Sequence, residues 1–303
     1  MNRNPTKMQF LFSMSFLFTL ILCIAAFFYG VKYGTDQTED KYSKQMQQWY
    51  AESHPGKYEQ QDLVSFYHNV FWPYREFEIR WFDTLAKLSS NHHNAVDSLS
   101  KLQHTAQEHY KRITLVALPK DATDLTLAQA NYAASLLRFH DGLKQIIRTS
   151  SQQNSKLDAA HIQQQTPIKE AMKLALKGQQ QYYSSMLVWS RTQDDTIKQP
   201  SLKSKASLEQ WQASSFAAKN KYIADYLYHQ GVIKPYLPQD LTARLDQFTK
   251  QASRSSAAAN KKSVDLTIKQ LLSTNSVHAQ DYSRVKGKLY QMDNIPLLPM
   301  FVE

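Results

Sequence analysis

From residue 95 onward, apolar side chains recur every three or four residues, the spacing that collects them on one face of an α-helix. Val96, Leu99, Leu102, Ala106, Tyr110, Ile113 and Val116 form one such series, and Leu118-Pro119 ends it. Past a polar turn from Lys120 to Asp124, Leu125, Ala128, Tyr132, Leu136, Phe139, Leu143 and Ile146 step by 3, 4, 4, 3, 4 and 3. That is the seam of a bundle helix. Thr166-Pro167 reads as an N-cap followed by proline at the first helical position. The helix it opens carries Ile168, Met172, Ala175, Gln179, Tyr182, Met186 and Trp189 on one face. Ser150 to Gln165, rich in Ser and Gln, is a loop or a frayed continuation of the helix before it.

The pattern shortens after residue 192. Residues 192–206, with Pro200 among Ser and Lys, read as a linker. Leu208 to Gln230 reads as one helix. Pro238 starts another, with Leu241, Leu245, Phe248 and Ala252 on a face, and Ser263 to Leu272 and Asp281 to Met292 read as two more. The chain closes on the apolar stretch Ile295 to Val302, where two prolines argue against a helix.

The N-terminal pattern is different. The 24 residues from Met8 to Val31 carry no charge, and as a helix they would extend about 36 Å against about 30 Å of bilayer hydrocarbon. A cleaved signal peptide usually has a shorter apolar core. A lipoprotein signal ending at Cys23 would want a small residue where Leu22 stands. A retained signal anchor fits better. Arg3 and Lys7 before the span are nearly balanced by Lys32, Lys41 and Lys44 after it, so orientation follows the short leading tail rather than the charge bias. Residues 1–7 are read as cytoplasmic, 8–31 as the span, 35–56 as a helical stalk broken at His54-Pro55-Gly56, and residues 35–303 as extracytoplasmic.

Composition narrows the chemistry. Only seven glycines occur, no two within thirty residues of each other after Gly34, which excludes glycine-rich phosphate-binding loops and a Gly-x-Ser-x-Gly nucleophile elbow. The single cysteine, Cys23, lies in the apolar run, so the remainder has neither internal disulfides nor thiolate metal sites. Among ten histidines, His92 and His93 diverge by about 100° on a helix. His104 and His109 diverge likewise. His104 with Glu108, and Asp158 with His161, do share faces, but neither Glu-x-x-His nor His-Glu-x-x-His occurs. No cofactor or metal is expected.

The densest feature is aromatic: Phe66, Tyr67, Phe71, Trp72, Tyr74, Phe77, Trp81 and Phe82 fall between Leu63 and Phe82. Phe66, Val70, Phe77, Trp81 and Leu85 make a core face. Tyr67, Phe71 and Trp72 point elsewhere, and Pro73 should kink or restart the helix. Such a segment is either the centre of a core or a surface for a partner. Tyr67, Phe71, Trp72 and Tyr74 are the candidate lining of a ligand or partner groove.

Charge is uneven. Residues 35–118 hold 9 basic and 11 acidic residues, whereas residues 119–303 hold 24 and 15. The plain reading is a solvated basic surface, and outside a cell such charge suits anionic lipid or acidic wall polymer rather than nucleic acid. The expectation is an all-α protein: a single transmembrane helix, an extracytoplasmic long-helix bundle over 57–191, and a smaller C-terminal helical unit over 207–303. Its expected role is non-catalytic, binding a protein or polymer in the cell envelope. The alternatives are a ligand-sensing domain acting through a partner, and an envelope enzyme whose site would need His104, Glu108, Asp158 and His161 to converge.

Overall fold

The computed structural model describes Met14 and residues 59–90, 95–119, 121–153, 158–193, 206–255, 263–290 and 295–302. The expected span 8–31 (apart from Met14, which is helical), the stalk 35–56 and most of the 192–206 linker lie outside the described residues. No helix of the described residues is long and apolar enough to cross a membrane. Residues 55–303 form one compact unit, and its described part is all-α with no strand; a lone antiparallel bridge joins Ser207 to Ser263.

Among the described residues of this unit, twelve α-helices follow one another: α1 (Gln60–Phe66), α2 (Trp72–Ser90), α3 (Ala95–Thr114), α4 (Thr123–Gln153), α5 (Ala159–Gln164), α6 (Thr166–Gln193), α7 (Leu208–Gln212), α8 (Phe216–Gln230), α9 (Pro238–Ser255), α10 (Val264–Ser273), α11 (Asp281–Leu289) and α12 (Pro299–Val302). A π turn, Tyr67–Phe71, joins α1 to α2. Several boundaries differ from the sequence expectation: α5 lies within the Ser150–Gln165 stretch, α11 ends at Leu289 with Tyr290 extended, and three further changes alter how the helices join. Helix α4 begins at Thr123 and runs to Gln153, so Asp124 belongs to its first turn and Ser150 to its last. The expected helix from Leu208 to Gln230 is two, because Ser215 turns extended and its hydroxyl accepts the Ala218 N–H at 3.2 Å, starting α8 afresh. Pro299, expected to block helix, instead opens the one-turn α12, where its missing N–H has no partner to lose.

Most of the seam positions read from the sequence are buried, although Val96 is exposed and Ile146, Met172 and Gln179 are only half-buried. Leu125, Ala128, Tyr132, Leu136, Phe139 and Leu143 of α4 are all inaccessible or nearly so, as are Ile168, Ala175, Tyr182 and Met186 of α6. Helices α4 and α6 are the most extensively packed pair. A glycine brings them together: a Cβ on Gly178 would lie 3.0 Å from the Tyr132 ring, so the α6 backbone rests on that ring face.

The second half is built on α6 and α8. Gly231 closes α8 in the left-handed conformation, φ 62°, with Val232 N–H donating to Leu227 C=O at 3.0 Å. Leu208, Trp211, Tyr222, Ile223, Leu241, Leu245, Val264 and Ile268 form a second core under α7 to α10. The closing stretch folds back on the first core: Ile295, Leu298, Met300 and Phe301 are buried in it, and Gln60 Nε2 donates to Leu297 C=O at 2.6 Å.

Candidate functional site

The aromatic segment is shaped by Pro73. Its ring would collide with the carbonyl four residues back and it has no N–H to donate. The chain widens instead, with Trp72 N–H donating to Tyr67 C=O, five residues back. The extra residue in that turn carries Tyr67 and Phe71 inward. Both are buried, as is Tyr74, whereas Trp72 stays 44 % exposed.

Phe71 lies 5.2 Å from Tyr182 and 6.3 Å from Tyr132 between ring centroids, and Tyr74 lies 4.4 Å from Tyr132. Ser135 Oγ donates to Ala171 C=O at 2.7 Å, so the 2.8 Å bond between Tyr74 and Ser135 takes its proton from the phenol. Burial above all pushes the Tyr74, Tyr132, Tyr182 and Tyr183 phenols well up, so they stay neutral. Phe71, Tyr74, Glu78 and Tyr132 border a crevice of about 10 Å³, the space of a single water. Three of the four candidate residues therefore meet inside the core and the fourth, Trp72, stands on its surface.

Arg75 and Glu78, on the same helix, are buried and joined at 2.5 Å. The second guanidinium nitrogen of Arg75 donates to Pro235 C=O at 2.6 Å, which pins the loop after α8 to α2. Nearby, the Tyr183 hydroxyl donates to Gln239 Oε1.

The histidine candidates stay apart. Asp158 caps α5, its carboxylate accepting the His161 N–H at 3.2 Å. His104 and Glu108 lie exposed on α3. His109 is held below its ordinary value by burial first, with Arg112 and Arg80 adding to it and Glu76 and Glu108 opposing. Among the described residues, no three His, Cys, Asp or Glu side chains gather closely enough to hold a metal ion.

Between α6, α8 and the start of α4 lies a polar joint. Lys221 Nζ bonds both Asp225 oxygens at 2.5 and 2.6 Å, Gln180 donates to Asp225 at 2.7 Å, and Lys177 sits 4.8 Å over the Tyr228 ring. Burial is the main cause that raises Asp124 and lowers Lys177 here. Ser184 is hydrogen-bonded to Asp124. A hydroxyl bound to a carboxylate, with both lysines drawn to aspartates, is a structural joint rather than an activated nucleophile.

A larger opening lies elsewhere, between α9 and α10: a cleft of about 340 Å³, at the small end of ligand-sized sites. Phe248 and Leu271, both half-buried, form its apolar floor, and Arg244, Gln247, Gln251 and Gln270 supply much of its polar wall. Arg244 is fixed there, its Nε donating to Ser276 C=O and its Nη1 to Gln247 Oε1, each at 2.9 Å. The side of α9 and α10 turned inward is locked by other groups. Asp246 accepts from Trp211 at 2.6 Å, Lys219 at 2.9 Å and Tyr290 at 2.6 Å, and Asp265 accepts from Tyr222 at 2.6 Å. The cleft thus rests on a fixed base.

The sequence carried a trace of this cleft. Gln247 and Gln251 stand four apart on α9, and Thr267, Gln270 and Thr274 step by three and four on α10. Uncharged polar stripes of this kind acquire meaning only once the two helices are known to face each other. No family model, no curated protein and no solved structure matches this chain.

Proposed function

We propose that the chain is a membrane-tethered helical binding module of the cell envelope, non-catalytic, with its N-terminus cytoplasmic and its ligand seated in the cleft between α9 and α10. The observation that carries this reading is the cleft itself: about 340 Å³ of open space walled by amides, hydroxyls and an immobilised guanidinium over an apolar floor. Its volume is that of a small ligand site, and its wall is more polar than is usual for such sites, which suits a ligand held by hydrogen bonds. The tether rests on the uncharged run from Met8 to Val31. The aromatic segment has the opposite character, since its rings are spent on the core and its crevice holds no more than a water.

Hydroxyl-radical footprinting of the full chain in lipid nanodiscs, with and without solubilised envelope polymer, tests the reading. Protection is expected at Phe248 and Leu271 and not at Trp72 or Ile79, the exposed apolar side chains of α2. Protection confined to Trp72 and Ile79 would move the binding face to α2 and overturn the assignment.

A further inference from the structure

The lining of the α9–α10 cleft narrows what it can hold. Among the described residues its lining contains no carboxylate, which disfavours metal ions and ammonium groups. Its apolar part is limited to a floor of Phe248 and Leu271, too little to hold a lipid tail. The rest is polar: the side chains of Gln247, Gln251 and Gln270, the guanidinium of Arg244, and Thr267, Thr274 and Ser276, of which the two threonine hydroxyls already bond to backbone carbonyls. Side-chain amides offer a donor and an acceptor close together, which matches the neighbouring hydroxyls of a sugar ring, and an apolar floor matches the ring's C–H face.

The local charge is positive. Asp281 lies 3.7 Å from Arg244 but 3.3 Å from Arg284 as well, so one carboxylate is shared between two guanidinium groups. Lys250 on α9 and Lys269 on α10 are exposed beside the cleft residues. The other carboxylates of these helices, Asp240, Asp246 and Asp265, are all bound on the inward side.

We propose, resting on the cleft as the binding site, that its ligand is a carboxylate-bearing sugar, free or as a unit of an acidic polysaccharide, with the carboxylate on Arg244 and the hydroxyls on the glutamine amides. The probes are galacturonic acid, neutral galactose and a short galacturonic acid oligomer, titrated calorimetrically into the full chain in nanodiscs of zwitterionic lipid. The acid should bind about tenfold more tightly than galactose, the difference made by one charge-assisted contact. Arg244→Gln should remove most of that difference, and Gln251→Ala should weaken both sugars alike. Because Arg244 also holds the turn at Ser276, the exposed pair Lys250→Gln and Lys269→Gln serves as a second test and should shrink the acid's advantage about threefold at low salt. An oligomer that binds more tightly than the monomer identifies polymer as the source, and equal affinity identifies the free acid.

Equal affinity for acid and neutral sugar, or an advantage untouched by both sets of substitutions, overturns the proposal. If both sugars bind equally and Gln251→Ala weakens both, the cleft stands and only the acidic ligand falls. If neither sugar binds, the proposal falls and the footprint at Phe248 decides the cleft separately.

Discussion

Between residues 59 and 193 long helices bury rings against rings, while between 206 and 302 shorter helices are pinned to one another by carboxylates. In the first region Phe77 and Trp81 each lie 4.9 Å from Phe139, and Phe66 lies 4.7 Å from Tyr182. In the second, Asp246 gathers Trp211, Lys219 and Tyr290; Asp265 takes Tyr222; Asp240 accepts the Tyr282 N–H at 3.1 Å and the Leu237 N–H at 3.0 Å. The difference follows from length. A helix of 28 or 31 residues presents an unbroken apolar stripe that fixes its own neighbours. A helix of 10 or 15 buries too little to fix its angle, and a directional bond to a buried carboxylate supplies what packing leaves open. A cleft can survive between α9 and α10 because their mutual positions do not depend on filling it.

This contrast can be broken at either end. Trp81→Ala should cost about 4 kcal/mol by chemical denaturation, as loss of a fully buried indole beside Phe139. Trp81→Phe should cost much less, because the indole N–H has no partner among the described residues. If both cost the same, the first region is not held by ring packing.

Asp246→Ala should cost about 3 kcal/mol, since it strands Lys219, whose side chain is only 11 % exposed, with no counter-charge. The loss should appear first as faster hydrogen exchange in α7 to α11. A cost below about 0.5 kcal/mol would place Asp246 with ordinary surface pairs.

Glycine substitutions sharpen the same line. Gly178→Ala should destabilise by about 1 kcal/mol despite its better helix propensity, because its Cβ meets the Tyr132 ring at 3.0 Å. Gly287→Ala in α11, with nothing within 4 Å, should stabilise by about 0.5 kcal/mol. Equal signs in paired melts would contradict the close contact of α4 and α6.

The smallest effect is a pH dependence. Asp124 and Asp240 are raised from 3.8, chiefly by burial, so the folded chain holds their protons more tightly than the unfolded chain. Their contribution to stability is full below 3.8 and is lost as pH rises through the folded values. His109, lowered from 6.5, acts in the other window: its contribution is full above 6.5 and is lost as pH falls below it. Asp124→Asn, which keeps an acceptor for Ser184, should reduce the loss of stability seen in urea titrations as pH rises above 3.8 and leave the His109 window unchanged. An unaltered loss would remove Asp124 from this account.

Much of the first region was legible because a three-and-four spacing admits one helical face: Leu99 to Ile113 and Leu125 to Leu143 are buried in register with it. The positions of Tyr67 and Phe71 were not legible, since regular helical geometry turns them away from the core and only the π turn before Pro73 brings them in. The break at Ser214-Ser215 was hidden because apolar residues continue on both sides of it and the capping hydroxyl looks like any other surface serine. The cleft was less legible still: it depends on which helix faces α9, and spacing along one helix carries no information about its neighbour.

The most direct test uses the chain's single cysteine. In a Cys23→Ser background, Gln270→Cys places a thiol on the exposed rim of the cleft, and its labelling by a membrane-impermeant maleimide can be timed in intact cells and in purified full chain. A membrane-tethered binding module predicts labelling without lysis, at a rate slower than in the purified chain because the cleft is occupied. Labelling only after lysis, or an identical rate in both settings, would contradict it.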